Sequence, residues 1–172
     1  FDGVDDRLVS ASTTINFSSG GTVEMWIYLT ANNRNQGFFS LIGSAAAGGN
    51  SYVDFWMPSN NLMRWEVIGS TNVSYNTCSS ATAFTTGVWY HVVGTFDGYS
   101  GTKLYVNGVL ENQLTSYTNQ PTYITANVYI GDYNAGSYPS ASRIGMTKVY
   151  NRDLSAAEVL QNFNATRRRY GV

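Results

Sequence analysis

Several alternating stretches of this chain set aromatic rings beside carboxylates and a guanidinium. In residues 22–30, Glu24, Trp26 and Tyr28 fall on one side. In residues 52–57, Tyr52, Asp54 and Trp56 do so, and in residues 62–68 Arg64 and Glu66 share a side. Flat rings stack on the C–H faces of sugars, and carboxylates with Arg orient hydroxyls by charge-assisted hydrogen bonds. If these sides lie on one sheet surface, joined by Trp89 and His91, the set has the composition of a glycan groove. Ordinary cross-strand pairs of a structural sheet would have the same composition. The loop GDYNAGSYPSAS, residues 131–142, is a second candidate: Asp132, Tyr133, Asn134 and Tyr138 stand among small residues. Tyr mixed with Ser, Gly and Asn is the chemistry of adaptable binding loops.

Other chemistries find less support. The chain has one histidine, His91, and no G-x-S-x-G, so a serine triad has no frame. His91 lies inside a strand-like run and is expected to be a structural imidazole. Cys78 is alone, which excludes a disulfide framework and a thiolate metal site. A glycoside hydrolase needs two carboxylates at a set separation. Only a convergence of Glu24, Asp54 and Glu66 across strands could supply it. No catalytic residue is expected, and no cofactor is required. Calcium could be held by Asp132 or by Asp2, Asp5 and Asp6 with backbone carbonyls, although no D-x-D-x-D-G spacing marks a site.

At 172 residues with ten basic and eleven acidic side chains, the chain reads as one domain with net charge −1. That balance argues against nucleic acid as a partner. No apolar run reaches membrane-spanning length. The one basic cluster, Arg167, Arg168 and Arg169, is expected to be a solvated tail (residues 167–172) or a contact with a neighbouring chain. The chain opens abruptly on a strand-like segment, as a domain cut from a longer polypeptide would.

The elements that must position these groups are β-strands. Residues 22–30, TVEMWIYLT, alternate cleanly, with Val23, Met25, Ile27 and Leu29 opposite the polar and aromatic set. Residues 52–57 and 62–68 form a hairpin about the turn at 58–61. Residues 88–96, 103–106 and the run after 108 read as three strands joined at Asp97-Gly98 and Asn107-Gly108, dipeptides that supply the positive φ of tight turns. Residues 1–6 read as a first edge strand, 38–42, 128–130 and 143–150 as strands, and 116–121 as loop. At most one short strand is expected in 70–86. Ser155-Ala156-Ala157-Glu158 is a capping box opening a helix over about 156–165, with Leu154 stapled onto Val159. The chain is therefore expected to be all-β, an antiparallel two-sheet sandwich with one short C-terminal helix.

Several of these runs resemble the laminin-G-like, concanavalin A-like jelly-roll family: Phe1-Asp2-Gly3-Val4-Asp5-Asp6, Thr22-Val23-Glu24-Met25-Trp26-Ile27, Trp89-Tyr90-His91-Val92, Thr95-Phe96-Asp97-Gly98, Leu104-Tyr105-Val106-Asn107-Gly108, and the ending from Val149 to Glu158. The resemblance spans nearly the whole chain, residues 1–172 as a single domain. It implies a non-catalytic recognition or adhesion module, often glycan-binding and sometimes carrying a structural calcium. Many members have an acidic pair in the closing strand where this chain has Gly145-Met146, which puts calcium there in doubt. The segment Gln161-Asn162-Phe163-Asn164-Ala165-Thr166 with its arginines also resembles such domains in bacteriophage and marine viral structural proteins. The expectation is a weakly glycan-binding adhesion or decoration module, shown in many copies on a virion or another extracellular surface. The alternative is a structural virion protein contacting a capsid or tail neighbour.

Overall fold

A computed structural model describes residues 1–44, 50–69, 76–99, 101–115, 120–133 and 136–172. Thirteen strands form two antiparallel sheets. They are β1 (Leu8–Val9), β2 (Thr13–Asn16), β3 (Gly21–Leu29), β4 (Gln36–Ser44), β5 (Asn50–Met57), β6 (Leu62–Ile68), β7 (Asn76–Ala83), β8 (Trp89–Phe96), β9 (Thr102–Val106), β10 (Val109–Leu114), β11 (Tyr123–Ala126), β12 (Val128–Ile130) and β13 (Ser142–Tyr150). The larger sheet runs β1-β12-β4-β5-β6-β7, with β11 pairing β2 and β4, and the smaller runs β10-β9-β8-β3-β13. A helix, α1 (Ala156–Thr166), and a 3-10 turn, Arg167–Tyr170, close the chain. This is the two-layer sandwich of a concanavalin A-like jelly roll.

Alternation decides what goes inside. Val23, Met25, Ile27 and Leu29 from the small sheet meet Val53, Phe55, Met57, Met63, Trp65 and Val67 from the large one, all nearly solvent-free. Trp65 is the central ring. It packs on Phe55 at 4.7 Å between centroids, and its indole N–H donates to the Thr95 carbonyl at 3.3 Å and to Thr102 Oγ1 at 2.9 Å. Gly94 makes room for it, because a Cβ there would stand 2.1 Å from the indole. The β9–β10 hairpin turns on Asn107 and Gly108, at φ 51° and 80°, so the Asn-Gly signal forms a two-residue turn. Glu111 of β10 accepts from the Ala81 and Thr82 amides of β7 and so ties the sheet edges together.

The helix starts where the capping box places it: Ser155 Oγ accepts from the Glu158 amide, and Glu158 accepts from the Ser155 amide. Buried Val159 and Leu154 pack with Val93 and Tyr105 on the outer face of the small sheet. β3 is therefore buried on both faces, one by the core and one by the C-terminal segment.

Four expectations need correction. Residues 1–6 form no strand; Asp2 makes a single bridge to Ala141. Within 70–86 the strand β7 is eight residues long. Its inward residues Asn76, Cys78 and Ser80 are small or polar, so the alternation carries no hydrophobic contrast. Residues 123–126 form a strand, β11, where none was expected, and most of the expected loop at 116–121 lies outside the described residues. The segment 167–172 is not a free tail: Tyr170 stacks on Trp26 at 4.2 Å, and its hydroxyl accepts from the Met146 amide at 3.1 Å.

Candidate functional site

The outer face of the large sheet collects most of the proposed groove. Register places Asp54 across from Glu66, Trp56 across from Arg64, and Glu66 across from Thr77, so three neighbouring strands contribute two rows. Over them lies the 131–142 loop. It can approach because residue 37, opposite Trp56, is glycine: a Cβ there would meet the Tyr133 amide at 2.3 Å. The Gly37 amide instead donates to the Tyr138 carbonyl at 2.8 Å, and Gly131 donates to the Phe38 carbonyl at 3.0 Å. These bonds hold Tyr133 and Tyr138 against Trp56, with centroids 5.9 and 6.1 Å away and the Tyr138 ring nearly parallel to the indole at 12°.

The result is an open pocket of about 350 Å³ lined by Trp56, Arg64, Glu66, Thr77, Tyr133 and Tyr138. The Arg64 guanidinium lies 4.7 Å from the Trp56 ring centre, a cation–π contact. Among the described residues it donates to no protein acceptor. Glu66 accepts from the Thr77 hydroxyl at 2.9 Å through one oxygen. The pocket thus offers aromatic faces, a planar cationic donor and a carboxylate acceptor at one place. Of the predicted set, Tyr52 shares this face, across from Ile68, but lies outside the pocket. Asp54 is wholly buried beneath it. Burial pushes the Asp54 carboxyl well above its usual range, and Glu66 adds to the shift. Asn134 lies outside the described residues.

Trp26 and Tyr28 do not belong to this surface. They sit on β3 of the other sheet, facing the opposite way, which overturns the single groove. Trp26 is sealed by the C-terminal segment: Phe163 and Tyr170 stack on it at 5.9 and 4.2 Å, and its indole N–H donates to Thr166 Oγ1 at 3.0 Å. It cannot touch a ligand while that segment is docked. Tyr28 is half-buried, with Trp89 at 5.5 Å and the Arg143 guanidinium 5.2 Å above its ring.

Glu24 lies under the same helix, so it cannot converge with Asp54 and Glu66 as a hydrolase would need. One of its oxygens contacts His91 Nε2 at 3.1 Å and Lys148 Nζ at 3.7 Å, and the other accepts from Tyr150 and Asn162 at 3.0 and 2.8 Å. Burial alone would raise the Glu24 pKa, but His91, Lys148 and Tyr150 together hold it below its usual value. His91 is thus held against Glu24 on the covered face, away from the pocket, with its Nδ1 buried and, among the described residues, unpartnered. Cys78 is buried, and burial pushes its thiol up to about 11, so it is no nucleophile at neutral pH.

Asp132 is also buried. It accepts from the Tyr133 amide at 2.7 Å and faces Arg7 at 3.5 Å, where a guanidinium already supplies the positive charge a cation would bring. Asp2, Asp5 and Asp6 are exposed and bring carboxylate oxygens within 4.8 Å of one another. Arg167, Arg168 and Arg169 are all exposed beside the docked Tyr170.

A family model, Laminin_G_3 of the concanavalin A-like lectin/glucanases superfamily, matches residues 2–160. The chain belongs to this superfamily. Solved structures of similar fold include the native heptameric SAP-like pentraxin of Limulus polyphemus, with TM-score 0.68 at 18% identity over 93% of this chain and 78% of that one. The CBM40 of the Ruminococcus gnavus IT-sialidase, bound to α2,3 sialyllactose, gives 0.67 at 19% identity over 95% and 97%. The receptor-binding domain of a botulinum neurotoxin C/D mosaic gives 0.66 at 14% over 88% of this chain and 40% of the toxin domain. At these identities the likeness is one of fold. No curated protein sequence matches.

Within this lectin-like frame, sequence reading found the strand residues of the pocket and missed two that build it, Thr77 and Gly37. An isolated Gly beside a run of apolar strand residues was the one available signal for Gly37, since such a Gly marks a close backbone approach. Gly145 serves a packing role here. A Cβ on Gly145 would lie 2.6 Å from the Tyr170 hydroxyl.

Proposed function

We propose that this chain is a non-catalytic recognition module that binds a surface glycan in the Trp56–Arg64–Glu66 pocket. The observation that carries this reading is the open, pre-formed conjunction of the half-buried Trp56 and Tyr138 rings with an Arg64 fork that has no protein acceptor among the described residues. A non-catalytic role is supported by the carboxylates: Asp54 is sealed, and Glu66 is alone among the pocket-lining residues. The fold neighbours that are carbohydrate-binding or receptor-binding domains support the same class.

Display in many copies on a virion or other extracellular surface is part of the proposal. The heptameric pentraxin neighbour supports multimers. Multivalency would raise the avidity of a weak single site. A structural calcium at Asp2, Asp5 and Asp6 is proposed on their oxygen spacing, and a melting temperature raised by calcium and lowered by EDTA would support it.

A glycan array with the protein displayed multivalently, followed by calorimetry on the best hit, tests the reading. Trp56→Ala should weaken binding about ten- to hundredfold, since it removes both the stacking face and the Arg64 platform. A blank array, or a hit indifferent to Trp56→Ala, would refute it. The exposed Arg triplet favours one other reading, contact with a neighbouring virion protein. Replacing Arg167, Arg168 and Arg169 by Ser while keeping Tyr170 tests that contact, because it spares the docked turn, and assembly is the readout.

A further inference from the structure

The pocket rests on a buried acid that no group among the described residues neutralises. Asp54 is fully enclosed on β5, and neither of its oxygens has a hydrogen-bond partner. Across β4 it faces Ser40, whose hydroxyl is likewise buried without a partner. Across β6 it faces Glu66, and beyond that the Thr77 hydroxyl of β7 donates a hydrogen bond to Glu66. Along its own strand the same face carries Tyr52 and Trp56. The cation of the neighbouring row, Arg64, has its guanidinium over Trp56. From the overlying loop Asp132 turns to Arg7. Asp54 thus has a carboxylate as its cross-strand neighbour and no cation paired with it.

Two adjacent carboxylates withdrawn from water, with no cation between them, cannot both ionise. Glu66 reaches the pocket and holds a donor from Thr77, whereas Asp54 has neither water nor donor. The proton therefore belongs on Asp54. We propose that Asp54 is a positioning residue that stays protonated beneath the pocket, leaves Glu66 as the pocket's anion, and unseats Trp56 when it ionises. An ionised Asp54 must be hydrated, and Trp56 is two residues along the same strand face, with a buried indole N–H that has no partner to hold it there. Water admitted to Asp54 enters beside that ring. The carboxyl's displacement above its usual range, caused by burial and by Glu66, agrees with this geometry. The consequence for a ligand rests on the glycan reading above; the proton itself does not.

The sign follows from linkage. A group whose folded pKa is raised keeps its favourable contribution below the unfolded value of about 3.9 and loses it as pH rises through the folded value. The experiment uses the full chain. Carbon-detected NMR follows the Asp54 and Glu66 carboxyls, and the Trp56 indole resonance follows the pocket, from acid to mildly alkaline pH. Melting temperatures are taken in parallel for wild type and Asp54→Asn, each in EDTA and in calcium chloride.

Asp54 is expected to be protonated at neutral pH and to titrate well above the ordinary carboxylate range, with the Trp56 indole moving at the same midpoint. Wild type should lose melting temperature through that midpoint, and Asp54→Asn should not. A ligand found on the array should lose affinity about tenfold per pH unit above the midpoint in wild type alone, as the competent fraction falls. Titration of Asp54 in the ordinary carboxylate range would overturn the proposal, and so would an indole that stays put. Calcium shifting the Asp54 resonance at neutral pH would overturn it too, by placing a cation where the proton is inferred. Should Asp54→Asn fail to fold, the wild-type titration still decides. A blank array would sink the glycan reading and leave this titration standing.

Discussion

Replacing Tyr170 by Ala should separate the two outer faces of the sandwich. The ring stacks on Trp26 at 4.2 Å and packs at a tilt against Trp89 at 4.8 Å, and its hydroxyl accepts from the Met146 amide at 3.1 Å. Each aromatic contact is worth about 0.5–1.5 kcal/mol, and the hydrogen bond about 1 kcal/mol. The loss should be about 2–4 kcal/mol, because truncation also leaves the Met146 amide without its partner. For a chain of this size that corresponds to a fall in melting temperature of about 4–16 °C. Scanning calorimetry gives the number, and the Trp26 indole resonance shows whether the ring is uncovered. Glycan affinity should be unchanged, since the pocket lies on the other sheet. A melting shift under about 2 °C would refute the view that Tyr170 seals the small sheet. A loss of glycan binding would refute the independence of the faces. Trp56→Ala should show the complementary pattern, with binding weakened about ten- to hundredfold and the Trp26 indole resonance unmoved.

Two further substitutions probe the interior. Glu24→Gln should destabilise the fold by about 1–3 kcal/mol at pH 7, because a buried acceptor of several donors loses its charge. The folded Glu24 pKa is lowered, so its contribution is present above the unfolded value and is lost as pH falls through the folded one. Urea midpoints of wild type and variant should therefore converge toward acid, and a constant gap would refute the assignment. Gly94→Ala would put a methyl 2.1 Å from the Trp65 indole and should cost about 1–3 kcal/mol or more by overpacking. An unchanged denaturation midpoint would show that Trp65 can move aside.

The two outer faces carry similar residues and come to different ends. On β3 the outward series Glu24, Trp26 and Tyr28 is covered for most of its length by α1 and the Arg167–Tyr170 turn. On β5 and β6 the outward series is buried at Asp54 and Glu66, and Trp56 and Arg64 are only half-buried. A docked C-terminal segment turns one aromatic stripe into a second core and leaves the other free to bind.

What could be read along the chain was local. Alternation in 22–30, 52–57 and 62–68 told which side chains face the core, because a strand's two-residue period is a backbone property that needs no partner. Asn107-Gly108 and the Ser155–Glu158 box told where a hairpin and a helix start for the same reason. Which of the two sheets carries each outward stripe was not legible, since outward on β3 and outward on β5 look alike in sequence and point apart in space. Whether an outward aromatic binds or packs depended on where the last residues lie, and that contact joins Trp26 to Tyr170 across 144 positions. The same holds for Asp54: its alternation marked it as outward-facing, and only the assembled strands show that outward there means enclosed beside Glu66.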